Sequence, residues 1–183
     1  MSITSEEARQ VLAEAECCYT RSQVEQALDK MAQAITATLQ DKNPLLLCVL
    51  NGGLIVTSEL LLRLPFPLNY DYIHATRYRG ETRGGELNWI AKSSHSLKDR
   101  HVLIIDDILD EGLTLAALVK FGMQEGAASV HTAVLVNKLH DRKADLQADF
   151  VGLDVEDRYV FGYGMDYKDY LRNVPGIYAV KGS

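Results

Sequence analysis

His101-Val102-Leu103-Ile104-Ile105-Asp106-Asp107-Ile108-Leu109-Asp110-Glu111-Gly112-Leu113-Thr114 is the stretch from which the architecture follows. Val102 to Ile105 is an unbroken apolar run without a turn residue, the pattern of a strand buried on both faces of a parallel sheet. Two adjacent carboxylates, two apolar residues, a third carboxylate and Glu111-Gly112-Leu113-Thr114 come next. Leu115 to Phe121 then has helical composition. The order is strand, polar loop, helix. In parallel α/β sheets ligands bind outside the carboxyl ends of the strands, and a helix N-terminus presents unpaired N–H groups to an anion. The loop therefore predicts a phosphate cradle. Gly112 allows a close backbone approach, and the Thr114 hydroxyl is expected to cap the helix and to donate to a phosphate oxygen. Asp106 and Asp107, being acceptors only, suit the vicinal hydroxyls of a ribose. A lone Asp-Asp turn is more often just an acidic strand end, but the full spacing argues for the cradle.

Moving toward the N-terminus, Leu45 to Leu50 is a second continuous apolar strand, and Asn51-Gly52-Gly53 turns it into a helical segment from Leu54 to Arg63. This repeats the same unit, although strand-Gly-Gly-helix turns are common in α/β proteins without a ligand. Thr4-Ser5-Glu6-Glu7 and Ser22-Gln23-Val24-Glu25 have capping-box spacing and predict two N-terminal helices. In the second, Val24, Leu28, Met31, Ile35 and Leu39 form a stripe that packs on a sheet. Asn69 to Ala75 reads as a strand. After it, Arg77-Tyr78-Arg79-Gly80-Glu81-Thr82-Arg83-Gly84-Gly85-Glu86 is basic and rich in glycine, which fits a lid over a phosphate site and fits a solvated hairpin tip equally well. Toward the C-terminus, Val130 to Val136 is a strand ending at Asn137-Lys138, and Asp149 to Val155 is another. Lys138 at that edge faces either solvent or the same crevice as Asp110. Tyr159-Val160-Phe161-Gly162-Tyr163-Gly164-Met165-Asp166-Tyr167 is either aromatic core or a surface for a flat base.

The 183 residues fit one domain, and 47% apolar with 24% charged is ordinary for a globular protein. A net charge of −6 and a pI near 5.3 give no general attraction to nucleic acid or anionic lipid. No apolar run reaches the length of a membrane span and no signal-peptide pattern is present, so a cytoplasmic location is expected. Cys17, Cys18 and Cys48 have neither C-x-x-C nor Cys/His metal spacing and read as free thiols.

The run from Val102 to Thr114 resembles the phosphoribosyl pyrophosphate (PRPP) signature of the purine branch of type I phosphoribosyltransferases: four apolar residues, two acids, two apolar residues, then D-T-G-x-T. Glu111 stands where that family usually has Thr. Val160-x-Gly-Tyr-x-x-Asp166-Tyr167, followed by Tyr170-x-Arg172, is similar to the hypoxanthine-guanine branch. The resemblance implies an α/β fold with a mostly parallel twisted sheet flanked by helices. It also implies one domain over residues 1–183, with a small hood from the N-terminal segment and the chain after about residue 154. The implied activity moves the 5-phosphoribosyl group of PRPP to N9 of hypoxanthine or guanine, giving IMP or GMP and pyrophosphate. Asp110 would be the general base. Asp106, Asp107, Asp110, Glu111, Gly112, Leu113, Thr114, Asn51, Gly52 and Arg172 would bind PRPP, the Asn51-Gly52 loop often through a non-proline cis peptide. Many members have Lys or Arg where Asn51 stands. Lys138, Tyr159, Val160 and Asp166 would bind the purine, Asp166 and Asp106 would hold Mg²⁺, and Arg77-Tyr78 would take the place of the family's Ser-Tyr lid pair. A homo-oligomer, dimer or tetramer, is implied, with no nucleic acid or membrane partner. Two other readings stay open: a regulator that binds PRPP or nucleotide on this fold, and a xanthine-preferring transferase.

Overall fold

In the computed structural model, which describes residues 3–77, 87–142 and 144–183, the chain runs α1 (Ser5–Glu14), β1 (Glu16–Thr20), α2 (Arg21–Leu39), β2 (Leu45–Val49) and α3 (Gly53–Leu61). It continues through β3 (Asn69–Arg77), β4 (Leu87–Ala91), β5 (His101–Leu109) and α4 (Leu113–Gln124). β6 (Ser129–Leu139), β7 (Phe150–Glu156), β8 (Val160–Phe161) and β9 (Gly176–Ala179) complete it. Six strands form one sheet in the order β4-β3-β2-β5-β6-β7, with all neighbours parallel except the edge pair β3-β4. The expected fold class is the one observed.

Residues along the two central strands alternate between two cores, which is why their runs are apolar throughout. Leu46, Leu103 and Ile105 pack with the α2 stripe Val24, Leu28, Met31, Ile35 and Leu39 and with Val56 and Leu60 of α3. Leu45, Leu47, Val49, Val102 and Ile104 pack on the other face with Leu115 and Leu118 of α4. Burying one such side chain fully contributes about 1.5–3 kcal/mol.

Two local expectations change. α1 starts in the expected capping box of Thr4 and Glu7, but α2 is capped by Thr20 with Gln23 rather than by Ser22 with Glu25. β1 runs directly into the helix at Thr20, so Ser22 already lies inside it, and Glu25 pairs with Arg21 at 2.7 Å. β5 is also longer than its apolar run, because β6 pairs with it as far as Leu109 whereas β2 follows it only to Ile105.

That difference in length opens the site. The chain leaves β2 for β3 on one side and leaves β5 for β6 on the other, so between β2 and β5 the connections part in opposite directions. Such a switch point leaves a crevice at the carboxyl ends of the strands. β1, β9 and β8 form a separate antiparallel three-stranded sheet. Its β1 is tied to the end of β7 by the Tyr19 hydroxyl, which donates to the Asp154 carbonyl at 2.6 Å, and to the β7–β8 turn by the Arg158–Glu16 pair at 2.8 Å. Among the described residues, no helix is long and apolar enough to cross a membrane.

Candidate active site

The first wall of the crevice is the turn after β2. The Leu50–Asn51 peptide is cis, α3 starts at once on Gly53, and the turn lies hard against β5. A Cβ at Gly53 would sit 2.6 Å from the Ile105 carbonyl oxygen, and one at Gly52 would overlap the Asp107 carboxylate. The two glycines are thus required by packing against the central strand. Across the crevice, Gly112 takes φ +76° and starts α4 without a side-chain cap. Thr114 is already the second residue of the helix, so the expected Thr114 cap is not formed. The first-turn N–H groups of α4 have no partner within the helix, which keeps them available to an anion.

These elements enclose a cleft of about 440 Å³ lined by Leu50, Gly52, residues 106–115, Asp166 and Arg172. Asn51 stands exposed between Leu50 and Gly52, outside that lining. Asp106, Asp107, Asp110, Glu111 and Asp166 contribute carboxylates to the cleft, and Arg172 is the one cation among the described residues that line it. Arg172 donates to Asp166 Oδ1 at 2.8 Å and to the Gly164 carbonyl at 2.7 Å, while the Asp169 N–H donates to Asp166 Oδ2 at 2.8 Å.

A second cleft of about 260 Å³ shares Asp107, Ile108, Asp110 and Asp166 with the first and adds Lys138, Tyr159, Val160 and Met165. At the seam, Asp110 receives Lys138 Nζ on Oδ2 at 2.9 Å and His140 Nε2 on Oδ1 at 2.7 Å. Burial pushes the Asp110 pKa up, but these two donors outweigh it and hold the carboxyl below its ordinary range. Asp106 and Asp107 go the other way. Burial, and for Asp106 the adjacent Asp107 charge, push their pKa values up. The two acids also differ in access: Asp107, packed between Gly52 and Gly164, is only 8% exposed, and Asp106 is more open.

A phosphoribosyl transferase domain family model matches residues 19–169. The chain belongs to the phosphoribosyltransferases. It is 34% identical over 166 residues to a hypoxanthine-guanine-xanthine phosphoribosyltransferase of Tritrichomonas foetus, a match covering 90% of this chain and 91% of the relative. It is 35% identical over 163 residues to a hypoxanthine-guanine phosphoribosyltransferase of Bacillus subtilis, covering 88% and 91%. A solved Trypanosoma cruzi hypoxanthine phosphoribosyltransferase in complex with the product IMP superposes with a TM-score of 0.86 at 30% identity, over 92% of this chain and 96% of that one.

Of the residues expected to serve a phosphoribosyltransferase site, the fold brings Asp106, Asp107, Asp110, Glu111, Gly112, Leu113, Thr114, Gly52, Asp166 and Arg172 around one cleft, and Lys138, Tyr159 and Val160 around its neighbour. Glu111 is exposed, and Tyr159 meets Tyr167 edge-on at 5.4 Å. Of the expected lid pair, Tyr78 lies outside the described residues, and only the backbone of Arg77, at the end of β3, is described. His140, Asp157 and Gly164 were not expected. His140 follows Lys138 by two residues at a strand end, where side chains alternate, and that spacing was the available signal. Gly164 has φ +107°, and a Cβ there would overlap the Gly52 carbonyl oxygen. Gly164→Ala is therefore expected to destabilise the fold by about 2–4 kcal/mol, from overpacking together with left-handed strain. Urea unfolding reads it, and a change below about 0.5 kcal/mol would rule this contact out.

Proposed function

We propose that this chain transfers the 5-phosphoribosyl group of PRPP to N9 of hypoxanthine or guanine, releasing pyrophosphate and giving IMP or GMP. The observation that carries the reading is the seam between the clefts. Asp110 stands between the start of α4 on one side and Lys138 with Tyr159 and Val160 on the other. In this reading the α4 N-terminus takes the 5-phosphate, Asp106 accepts from the ribose, and Arg172 meets the pyrophosphate. Lys138 donates to the 6-oxo group, and Tyr159 lies against the purine. Asp110 takes the proton from N7 as N9 attacks the ribose carbon, and positioning and electrostatics supply most of the rate. Pyrophosphate release with PRPP and each base in turn is the test. Turnover of hypoxanthine and guanine is expected, and salt-sensitive RNA binding without turnover would favour a regulator instead. Turnover confined to xanthine would favour the xanthine-preferring alternative.

The cleft carries far more negative than positive charge, and PRPP adds more. Asp106 and Asp166 line it together, and no group of three metal-ligating side chains occurs among the described residues. That set fits Mg²⁺, which combines few carboxylates with substrate oxygens and water. When bound, the ion would neutralise the departing pyrophosphate. Excess chelator is expected to abolish turnover, with recovery on adding Mg²⁺ or Mn²⁺; full activity in chelator would rule the ion out.

We read residues 1–183 as one phosphoribosyltransferase domain with the β1-β9-β8 sheet as its hood. Three free thiols and an acidic composition support a cytoplasmic setting without nucleic-acid or membrane partners. Self-association is supported by Tyr70, Tyr72 and Ile90, exposed on the sheet face that α3 covers in part, and by exposed Leu54 and Leu62. Sedimentation velocity is expected to show a dimer or tetramer that Tyr72→Glu weakens, and a monomer across concentrations would remove the idea.

A further inference from the structure

We propose that His140 is a positioning residue for the proposed reaction, holding Oδ1 of Asp110 so that Oδ2 is left to receive the purine proton. This rests on the reading of Asp110 as the general base. Asp110 sits where β5 has ended, and its side chain is 46% exposed. His140 is different. Its side chain is 5% exposed, and the Arg142 backbone N–H donates to its Nδ1 at 3.1 Å. An imidazole nitrogen that accepts leaves the proton on the other one, so Nε2 carries the hydrogen that points at Asp110 Oδ1.

Lys138 and His140 divide the carboxylate between them, but only one of them has another task. Lys138 Nζ is bonded to Oδ2 at 2.9 Å and lies 3.9 Å from Asp157. If Lys138 donates to a 6-oxo group, its hold on Oδ2 is shared or given up at the moment that oxygen must accept a proton. His140 has no such conflict. Its ring is fixed by the Arg142 backbone, and the Arg142 guanidinium is in turn tied to both oxygens of Asp157 at 2.9 and 2.8 Å. The charged groups around Asp110 are thus Lys138, in contact beside the His140 imidazole, Asp157 and Arg142 behind them, and Asp106, Asp107, Glu111, Asp166 and Arg172 along the clefts. Among these, His140 is the donor whose geometry does not depend on substrate.

A mutant cycle tests this. His140→Ala, and His140→Leu as a variant of similar bulk without a donor, are expected to lower kcat about 10- to 100-fold, the size set by losing a hydrogen bond to a charged group. KM for PRPP should change little. His140→Gln, whose side-chain amide can donate, should recover most of the rate. Losing a donor to the ionised carboxylate should also move the acid limb of kcat/KM for the base to higher pH. In an Asp110→Asn background, His140→Leu should cost no more than about threefold further, because residues acting through one another are not additive. An equal loss in both backgrounds, or a folded His140→Gln no better than His140→Leu, would overturn the proposal. Near-wild-type turnover of Asp110→Asn alone would instead overturn the reading of Asp110, so the two failures are distinct.

Discussion

Asp110→Asn is expected to lower kcat by about 10² to 10⁴, the usual contribution of a positioned acid–base group, while PRPP and nucleotide binding are largely kept. The substitution keeps the volume and an oxygen acceptor for Lys138 or His140, so the loss isolates basicity. The pH dependence follows from the same contacts. Burial raises the Asp110 pKa and the hydrogen bonds from Lys138 and His140 lower it more, for a net decrease. The base is ionised above that lowered pKa and is lost as pH falls through it, so the acid limb from this group should lie below the ordinary carboxylate range. Steady-state pyrophosphate release across pH, with product binding measured separately, reads both effects. Turnover near that of the unaltered protein would take Asp110 out of the role.

Base choice should turn on Lys138, whose side chain is only 12% exposed. A protonated lysine has three donors and no acceptor, so it pairs with a 6-oxo group and meets the 6-amino group of adenine donor to donor. Leaving groups unpaired in a closed site costs about 1–3 kcal/mol each, and sites built to bond one substrate group reject its analogue by up to about 10⁴ to 10⁵. Adenine is therefore expected to be a very poor substrate. Lys138→Ala should reduce use of hypoxanthine more than use of adenine and so narrow the gap. The same substitution frees Asp110 Oδ2, which makes kcat/KM for both bases the quantity to compare. Equal turnover of adenine and hypoxanthine by the intact protein, or unchanged hypoxanthine kinetics in Lys138→Ala, would contradict this assignment.

The sequence by itself determined the layered α/β plan. Val102 to Ile105 and Leu45 to Val49 are apolar at every position because both sheet faces are covered, and a local window reports that directly. The α2 stripe and the glycine at the start of α4 were legible for the same reason, since each depends on neighbours within a few residues. Motif spacing also located most of the cleft lining. The cap of α2 was misplaced because Thr20-Gln23 and Ser22-Glu25 have the same local pattern, and only the end of β1 separates them. What the tertiary structure decided lies between distant segments. The overhang of β5 beyond β2, the packing of Asp107 between Gly52 and Gly164, and the Asp110–His140 pair, 30 residues apart in the chain, depend on strand register and on which side chains converge. Periodicity states which face of an element is buried. It is silent on what that face meets, because pairing partners are chosen by the free energy of the whole packed chain.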